Sequence, residues 1–323
     1  MLLTGQINPE APSTSGMIPL LVILGPTAVG KTDLAITLAT ALNGEIVGAD
    51  SRQIYRQMDI GTAKPTAAQR AAIPHHLIDI ADPDEEISLA NFQAQANAAI
   101  HAIAARGKLP LLVGGTGQYI TALLEGWTPP NVAPNPVKRA ALEAEAAEHG
   151  VPALAERLRA LDPDAMTVID PRNLRRIIRA LEVIDATGQP FSAQRTKSPP
   201  PYRARLIGLN MDRERLKQRA DQRLEQMLAT GFVDEVRALL DHGYAPPLPS
   251  MSAVGYGQVS RYVQGEITRE EALQLAKHAT HIFIRRQLSW FRGHDPGILW
   301  QNMEMLTDSP LLEALGDWYR EKV

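Results

Sequence analysis

Leu20-Leu21-Val22-Ile23-Leu24 runs directly into Gly25-Pro26-Thr27-Ala28-Val29-Gly30-Lys31-Thr32, and a helical pattern follows from Lys31 to Leu42. An aliphatic strand, a GxxxxGK(S/T) loop and a helix, in that order, let backbone N–H groups curl around a phosphate chain at a helix N-terminus. Lys31 adds a point charge at the terminal phosphate, and the Thr32 hydroxyl is a ligand for Mg²⁺. Gly25 to Thr32 are therefore the expected polyphosphate site. A purely structural glycine turn is the alternative, and the flanking strand and helix argue against it.

Working outward, Glu45 to Ala49, Leu77 to Ile80 and Leu109 to Val113 read as further buried strands, with a helical pattern from Leu89 to Ala105 between the last two. Strands alternating with helices predict an α/β fold: a parallel sheet covered on both faces, with a P-loop NTPase-like core. Trp127 to Pro136 holds four prolines in ten residues, and Ser198 to Pro201 adds three more. These mark the edges of an insertion, residues 129–199, whose amphipathic segments at 136–149, 152–161 and 171–187 predict helices. A strand returns at 205–209, and C-terminal helices are expected at 213–229, 233–242, 252–263 and 269–292. The core is thus residues 18–128 with 200–323. Residues 1–17, rich in Ser, Thr, Pro and Gly without a basic n-region, read as a flexible tail.

The chain has 323 residues, 45% apolar and 21% charged, which is ordinary globular usage and excludes a rod or a disordered chain. Cys is absent, so disulfide scaffolds, thiolate zinc sites and cysteine nucleophiles are all excluded. The longest apolar run, Leu20 to Leu24, is far short of a bilayer span, so no membrane partner is expected, and the lack of Cys is compatible with the reducing cytoplasm, the expected location. Net charge is −3, yet residues 170–225 carry 13 Lys and Arg against 7 Asp and Glu. That basic stretch is either a solvated helix face or a surface for a polyanion.

Kinases and ATPases with this loop hold Mg²⁺ through an acid at the end of a second strand. Here Leu109 to Val113 ends in Gly114-Gly115-Thr116-Gly117, with a hydroxyl where the acid belongs. The loop is therefore expected to bind a diphosphate without being built to hydrolyse ATP. A carboxylate does follow the preceding strand. Asp50 opens Asp50-Ser51-Arg52-Gln53, where it either accepts a proton and positions an amine or caps the next helix. The loop Asp59 to Pro65 has no role legible from spacing. His278 and His281 share a helix face and read as a partnered surface pair more than a metal pair; His75 and His76 point to opposite faces. Trp290, Phe291 and Trp300 read as core aromatics.

GPTAVGKT (25–32), DSRQIY (50–55), DIGTAKP (59–65), PHHLID (74–79) and LVGGTGQY (112–119), in this order, resemble the tRNA dimethylallyltransferase family. The resemblance continues through RALEV (179–183), GFxxEVxxL (231–239), VGYGQ (254–258) and RRQxxWFRG (285–293), over roughly residues 20–300. It implies transfer of a dimethylallyl group from its diphosphate to N6 of the adenosine beside the anticodon, position 37. Asp50 then matches the proton acceptor, Thr27 the hydroxyl at the bridging oxygen, and Arg223 the arginine that grips the diphosphate. The same resemblance places Asp50, Ser51, Arg52 and Gln53, and Arg175, Arg176, Ile177, Ile178 and Arg179, against the tRNA anticodon stem-loop. Thr116 and Arg139 flank its path, Mg²⁺ is the cofactor, and a monomer is implied. Where the family usually has Thr-Arg this chain has Thr280-His281, and the Cys/His finger of eukaryotic members is absent, as in the short bacterial type. The competing readings are a small-molecule P-loop kinase or an adenylate isopentenyltransferase acting on free nucleotide, and a non-catalytic RNA-binding module.

Overall fold

The structure, a computed structural model, describes residues 16–321 apart from 131, 195, 199, 295 and 296. The expected tail therefore lies, up to residue 15, outside the described residues. β1 (Ile18–Leu24) leads through the glycine loop into α1 (Lys31–Ala41), followed by β2 (Gly44–Gly48), α2 (Ala67–Ala72), β3 (His75–His76), α3 (Leu89–Ala105), β4 (Leu109–Gly114) and α4 (Gly117–Leu124). Next come β5 (Trp127–Thr128), α5 (Pro136–His149), α6 (Val151–Leu161), α7 (Leu174–Thr187) and β6 (Thr196–Lys197). The chain returns as β7 (Tyr202–Asn210), then α8 (Arg213–Ala229), α9 (Phe232–Asp241), α10 (Tyr256–Val263), α11 (Arg269–His294), β8 (Leu299–Asn302) and α12 (Asp308–Arg320).

Six strands form one sheet in the order β3-β2-β4-β1-β7-β8, every neighbouring pair parallel. Leu20 to Leu24 are at most 1% exposed, the signature of a strand covered on both faces. Alternation divides them: Leu21 and Ile23 pack with Leu34 and Leu38 of α1 and Leu315 of α12, whereas Leu20, Val22 and Leu24 pack with Phe92, Ile100 and Ile103 of α3. Phe291 is buried in the second layer and Trp290 and Trp300 pack against it, as core aromatics should. A third apolar cluster joins α8, α9 and α10 around Phe232 and Tyr256, whose rings meet edge to face at 4.9 Å.

The chain divides into two compact units at Leu124/Glu125 and Pro200/Pro201. The proline-based edges fall inside those limits because β5 pairs with β6 and Glu125 ion-pairs with Lys197, tying both crossing strands to the insert. The insert has its own core of Leu142, Leu154, Leu158, Ile177 and Leu181.

The strand expected at Leu77 to Ile80 is a correction. β3 is only His75–His76, and Leu77 and Asp79 adopt φ of 62° and 56°, which turns the chain out of the sheet. The helix expected from Ser252 begins at Tyr256, after Gly255 at φ 96°. β8 and α12 extend the expected fold; Leu299–Asn302 is too short and mixed to show a strand period.

At the N-terminal end of β2 the Glu45 carboxylate is 3% exposed and meets Lys108 at 2.9 Å, Arg106 at 2.6 Å and His76 at 2.8 Å. Burial pushes this carboxyl up, but the three donors outweigh it and hold it at about 2. A carboxylate depressed on folding stabilises the protein above its ordinary pKa and loses that contribution as pH falls toward 2. Glu45→Gln should cost on the order of 2 kcal/mol at pH 7, discounted for the exposed cations, and much less at pH 3. Urea midpoints of both proteins at the two pH values test this; an equal loss at each would remove Glu45 from the acid response.

Candidate active site at the C-terminal edge of the sheet

β2, β4 and β1 lie side by side, so their C-terminal ends bring Asp50, Thr116 and the glycine loop to one edge, where open α/β sheets bind ligands. In the loop, Lys31 Nζ donates to the carbonyls of Gly25 (3.0 Å) and Pro26 (2.7 Å). Arg223 of α8 donates through Nη2 to the Thr27 hydroxyl, and the Thr27 N–H donates to Gln287 Oε1 of α11 at 2.8 Å. Burial brings the Lys31 ammonium down to about 8, opposed by the Asp50 charge and reinforced by Arg223. The Arg223 guanidinium is also lowered, by burial first, with Asp50 opposing and Arg219 adding. Two cations shifted by burial thus lie within reach of the charge of one carboxylate. Arg219, one turn before Arg223, brings its Nη2 to 3.7 Å from where a Gly30 Cβ would stand.

The acceptor side depends on close backbone approach. A Cβ on Gly114 would stand 2.0 Å from the Ala49 carbonyl oxygen, so only glycine lets the ends of β4 and β2 touch. The Thr116 N–H then donates to that carbonyl at 3.2 Å, and its hydroxyl accepts from the Ser51 N–H at 3.0 Å. Thr116 therefore takes the place of an acid by fastening the Asp50-Ser51 turn. Asp50 Oδ1 accepts from the Arg52 N–H at 2.9 Å, and turn rather than helix follows, so the helix-cap reading of Asp50 does not hold. Arg52 donates to the Pro249 carbonyl at 2.5 Å and Ser252 Oγ at 3.0 Å, and Gln53 donates to the carbonyls of Thr62 and Ala63 at 3.1 Å each. Both side chains brace the turn from within the protein.

The loop with no legible role proves to be a cradle for the protein's own carboxylate. Glu235 of α9 accepts from the N–H groups of Asp59 (2.8 Å), Ile60 (2.6 Å) and Gly61 (3.1 Å) and from the Tyr256 hydroxyl (2.6 Å). Lys64 closes the other side on Asp59 at 2.6 Å and Asp79 at 2.5 Å.

In the insert the side chains sort differently from the sequence expectation. Ile177 and Ile178 are 0% and 5% exposed, so they hold α7 to its neighbours and present no side chain to a partner. Arg179 is a second correction: it turns onto the buried Glu182 at 2.6 Å and the Val132 carbonyl at 2.8 Å instead of sharing an open face with Arg175. Arg139 meets the same carboxylate at 3.1 Å. An unpaired buried Glu182 would be costly, which is why these two cations are drawn in. Arg175 and Arg176 stay exposed, and their guanidinium groups hydrogen-bond to none of the described residues. His281 of α11 pairs with Asp221 at 2.8 Å, and among the described residues no group of three His, Cys, Asp or Glu could hold a metal.

Sequence reasoning assigned no role to Gln287, Arg219 or Glu235. Gln287 sits in RRQxxWFRG, Glu235 in GFxxEVxxL and Arg219 one helical turn from Arg223, but only packing shows what each touches.

A parallel sheet, a phosphate loop at its central strand, an Asp after β2 and a Thr where the usual acid would follow β4 define a P-loop NTPase-like α/β enzyme core. The chain belongs to the IPP transferase family, whose model matches residues 53–294, and residues 18–82 match a second model, isopentenyl transferase. It is 59% identical over 276 residues to the tRNA dimethylallyltransferase of Roseiflexus sp. (strain RS-1), covering 85% of this chain and 90% of that one. The Dehalococcoides mccartyi tRNA dimethylallyltransferase is 48% identical over 93% of this chain and 92% of its own. The crystal structure of the tRNA isopentenylpyrophosphate transferase of Bacillus halodurans superposes with a TM-score of 0.69 at 40% identity, covering 94% of this chain and 96% of that one. A eukaryotic dimethylallyltransferase acting on tRNA shares the fold, with a TM-score of 0.79 at 24% identity over 95% of this chain and 80% of its own.

Proposed function

We propose that the chain transfers a dimethylallyl group from dimethylallyl diphosphate to N6 of the adenosine 3′ of the anticodon, position 37, of tRNA, giving N6-dimethylallyladenosine and diphosphate. One observation carries the reading: Lys31, Arg223 and Thr27 form a donor cluster whose two cations both feel the charge of Asp50. Leaving-group and acceptor chemistry thus adjoin. As the C1–O bond breaks, its electron pair stays on the diphosphate, where Lys31, Arg223 and the loop amides stabilise the growing charge. N6 forms the new bond to C1 and gives up one proton to Asp50. The target base has to leave the anticodon stack to reach the edge.

Thr32, at the start of α1 directly after Lys31, would offer its hydroxyl to a Mg²⁺ bound with the diphosphate. When bound, the ion would supply further neutralisation of the diphosphate. A monomer acting in the cytoplasm completes the reading; among the described residues no helix is long and apolar enough to cross a membrane.

The purified protein should label tRNA, and not AMP, from radiolabelled dimethylallyl diphosphate. Label on AMP, or phosphate transfer from ATP, would replace this reading with a nucleotide isopentenyltransferase or a kinase.

Arg175 and Arg176, the exposed pair of the insert, are the expected phosphate contacts. Replacing both with Gln should make the slope of log K for tRNA against log salt shallower by about 1 to 2 units, because fewer counterions are released on binding. Ile177→Ala should instead cost about 2–5 kcal/mol of insert stability and leave the slope alone. Fluorescence titrations at several salt concentrations decide, and an unchanged slope in the double variant moves the phosphate contacts elsewhere.

A further inference from the structure

Gln287 is 6% exposed, and both ends of its amide are used. Its carbonyl accepts the Thr27 N–H at 2.8 Å, and its NH₂ donates to the Gly115 carbonyl at 2.9 Å. One side chain therefore connects the diphosphate loop to the turn whose next residue, Thr116, holds Ser51 and with it the Asp50 turn. The fit is tight, since a Cβ on Gly115 would stand 2.3 Å from Gln287 Nε2 and 3.3 Å from the Gly25 carbonyl oxygen. Neighbours on α11 keep the amide in place: Ile284 and Phe291, one turn to either side, are buried in opposite layers of the core.

We propose that Gln287 is a positioning residue for the transfer reaction, a strut that sets the distance between the leaving-group loop and the acceptor turn. The proposal rests on the prenyl transfer described above. Thr27 is then fixed twice, its N–H by Gln287 and its hydroxyl by Arg223. Gln287 also removes one loop amide from the set free to meet phosphate, so its purpose is geometry rather than charge. An amide is the side chain that suits the gap: it needs an acceptor at one end and a donor at the other. A thioether offers neither strongly, and a carboxylate keeps the acceptor but sets an oxygen against the Gly115 carbonyl. A protonated carboxyl restores both, with its C=O toward Thr27 and its O–H toward Gly115.

The test compares Gln287→Met and Gln287→Glu with the parent. In Gln287→Met, kcat should fall roughly 30- to 100-fold, as a misplacement near 1 Å does, while KM for dimethylallyl diphosphate changes less than about threefold. Gln287→Glu should exceed Gln287→Met increasingly as pH falls and its carboxyl gains the missing proton. A merely structural glutamine would lower melting temperature and leave kcat per folded molecule within about threefold, which would overturn the strut. So would a Gln287→Glu that is no better than Gln287→Met at any pH. Hydrogen exchange at the Thr27 amide gives a readout without turnover: at least tenfold faster exchange is expected in Gln287→Met, which lacks the acceptor, and unchanged exchange there overturns the strut. A parent protein that does not prenylate tRNA would overturn the transfer reading alone, leaving the strut to the exchange measurement.

Discussion

Asp50→Asn should lower kcat for prenyl transfer by roughly 10²- to 10⁴-fold, the range of a lost general base, while tRNA affinity should change only a few-fold. The lone pair of adenine N6 is delocalised into the ring, so the amine attacks only if its proton is accepted as the new bond forms. Asn keeps the Oδ1 that receives the Arg52 N–H, so the turn survives and the chemistry alone is removed. Affinity is a separate quantity, dominated by phosphate contacts far more numerous than one carboxylate. Single-turnover prenylation of tRNA with a parallel filter-binding titration measures both. Near-parent kcat in Asp50→Asn would remove Asp50 from the mechanism.

Lys31→Met and Arg223→Met should each lower kcat by about 10²- to 10³-fold and raise KM for the diphosphate, because the leaving group gains charge as C1–O breaks. The same lysine predicts a pH dependence. Burial lowers its ammonium to about 8, below the ordinary 10.5, so above pH 8 the free enzyme carries it largely neutral. A bound diphosphate favours the charged form and raises that value again. Binding at pH 8.5 to 9 should therefore take up close to one proton, and uptake should vanish near pH 6.5, where Lys31 is already charged. Calorimetry with inorganic diphosphate in buffers of different ionisation enthalpy measures the uptake, and Lys31→Met should abolish it. Uptake that persists in Lys31→Met would assign the proton to another group.

Local signals carried far in this chain. An uninterrupted aliphatic run ending in glycine leaves few options for Leu20 to Gly30, and α3, α5 and α8 begin and end where caps and periodicity place them. Asn135, for example, caps α5 through the Lys138 N–H at 3.0 Å. Failures came where long-range contact overrides local pattern. Leu77 to Ile80 reads as a strand but bends away at Leu77 so that Asp79 can reach the buried Lys64. The RRIIR run reads as an arginine face on a helix, yet Glu182 lies three residues beyond Arg179 and claims it, together with Arg139 forty residues earlier.

A diphosphate loop beside a strand-end aspartate was legible in the sequence alone, because a glycine loop, a lysine and the residues that end each strand are set by neighbours in the chain; the prenyl transfer itself was implied only by the family resemblance. Which arginine serves which charge was decided only by tertiary structure. Arg223 reads as one more cation on a basic helix, and its contact with Thr27 spans 196 residues; Gln287 reaches the same threonine across 260. The physical reason is that hydrogen bonds and ion pairs are selected by distance in space and by the cost of leaving a buried polar group unpaired, and neither leaves a periodicity along the chain.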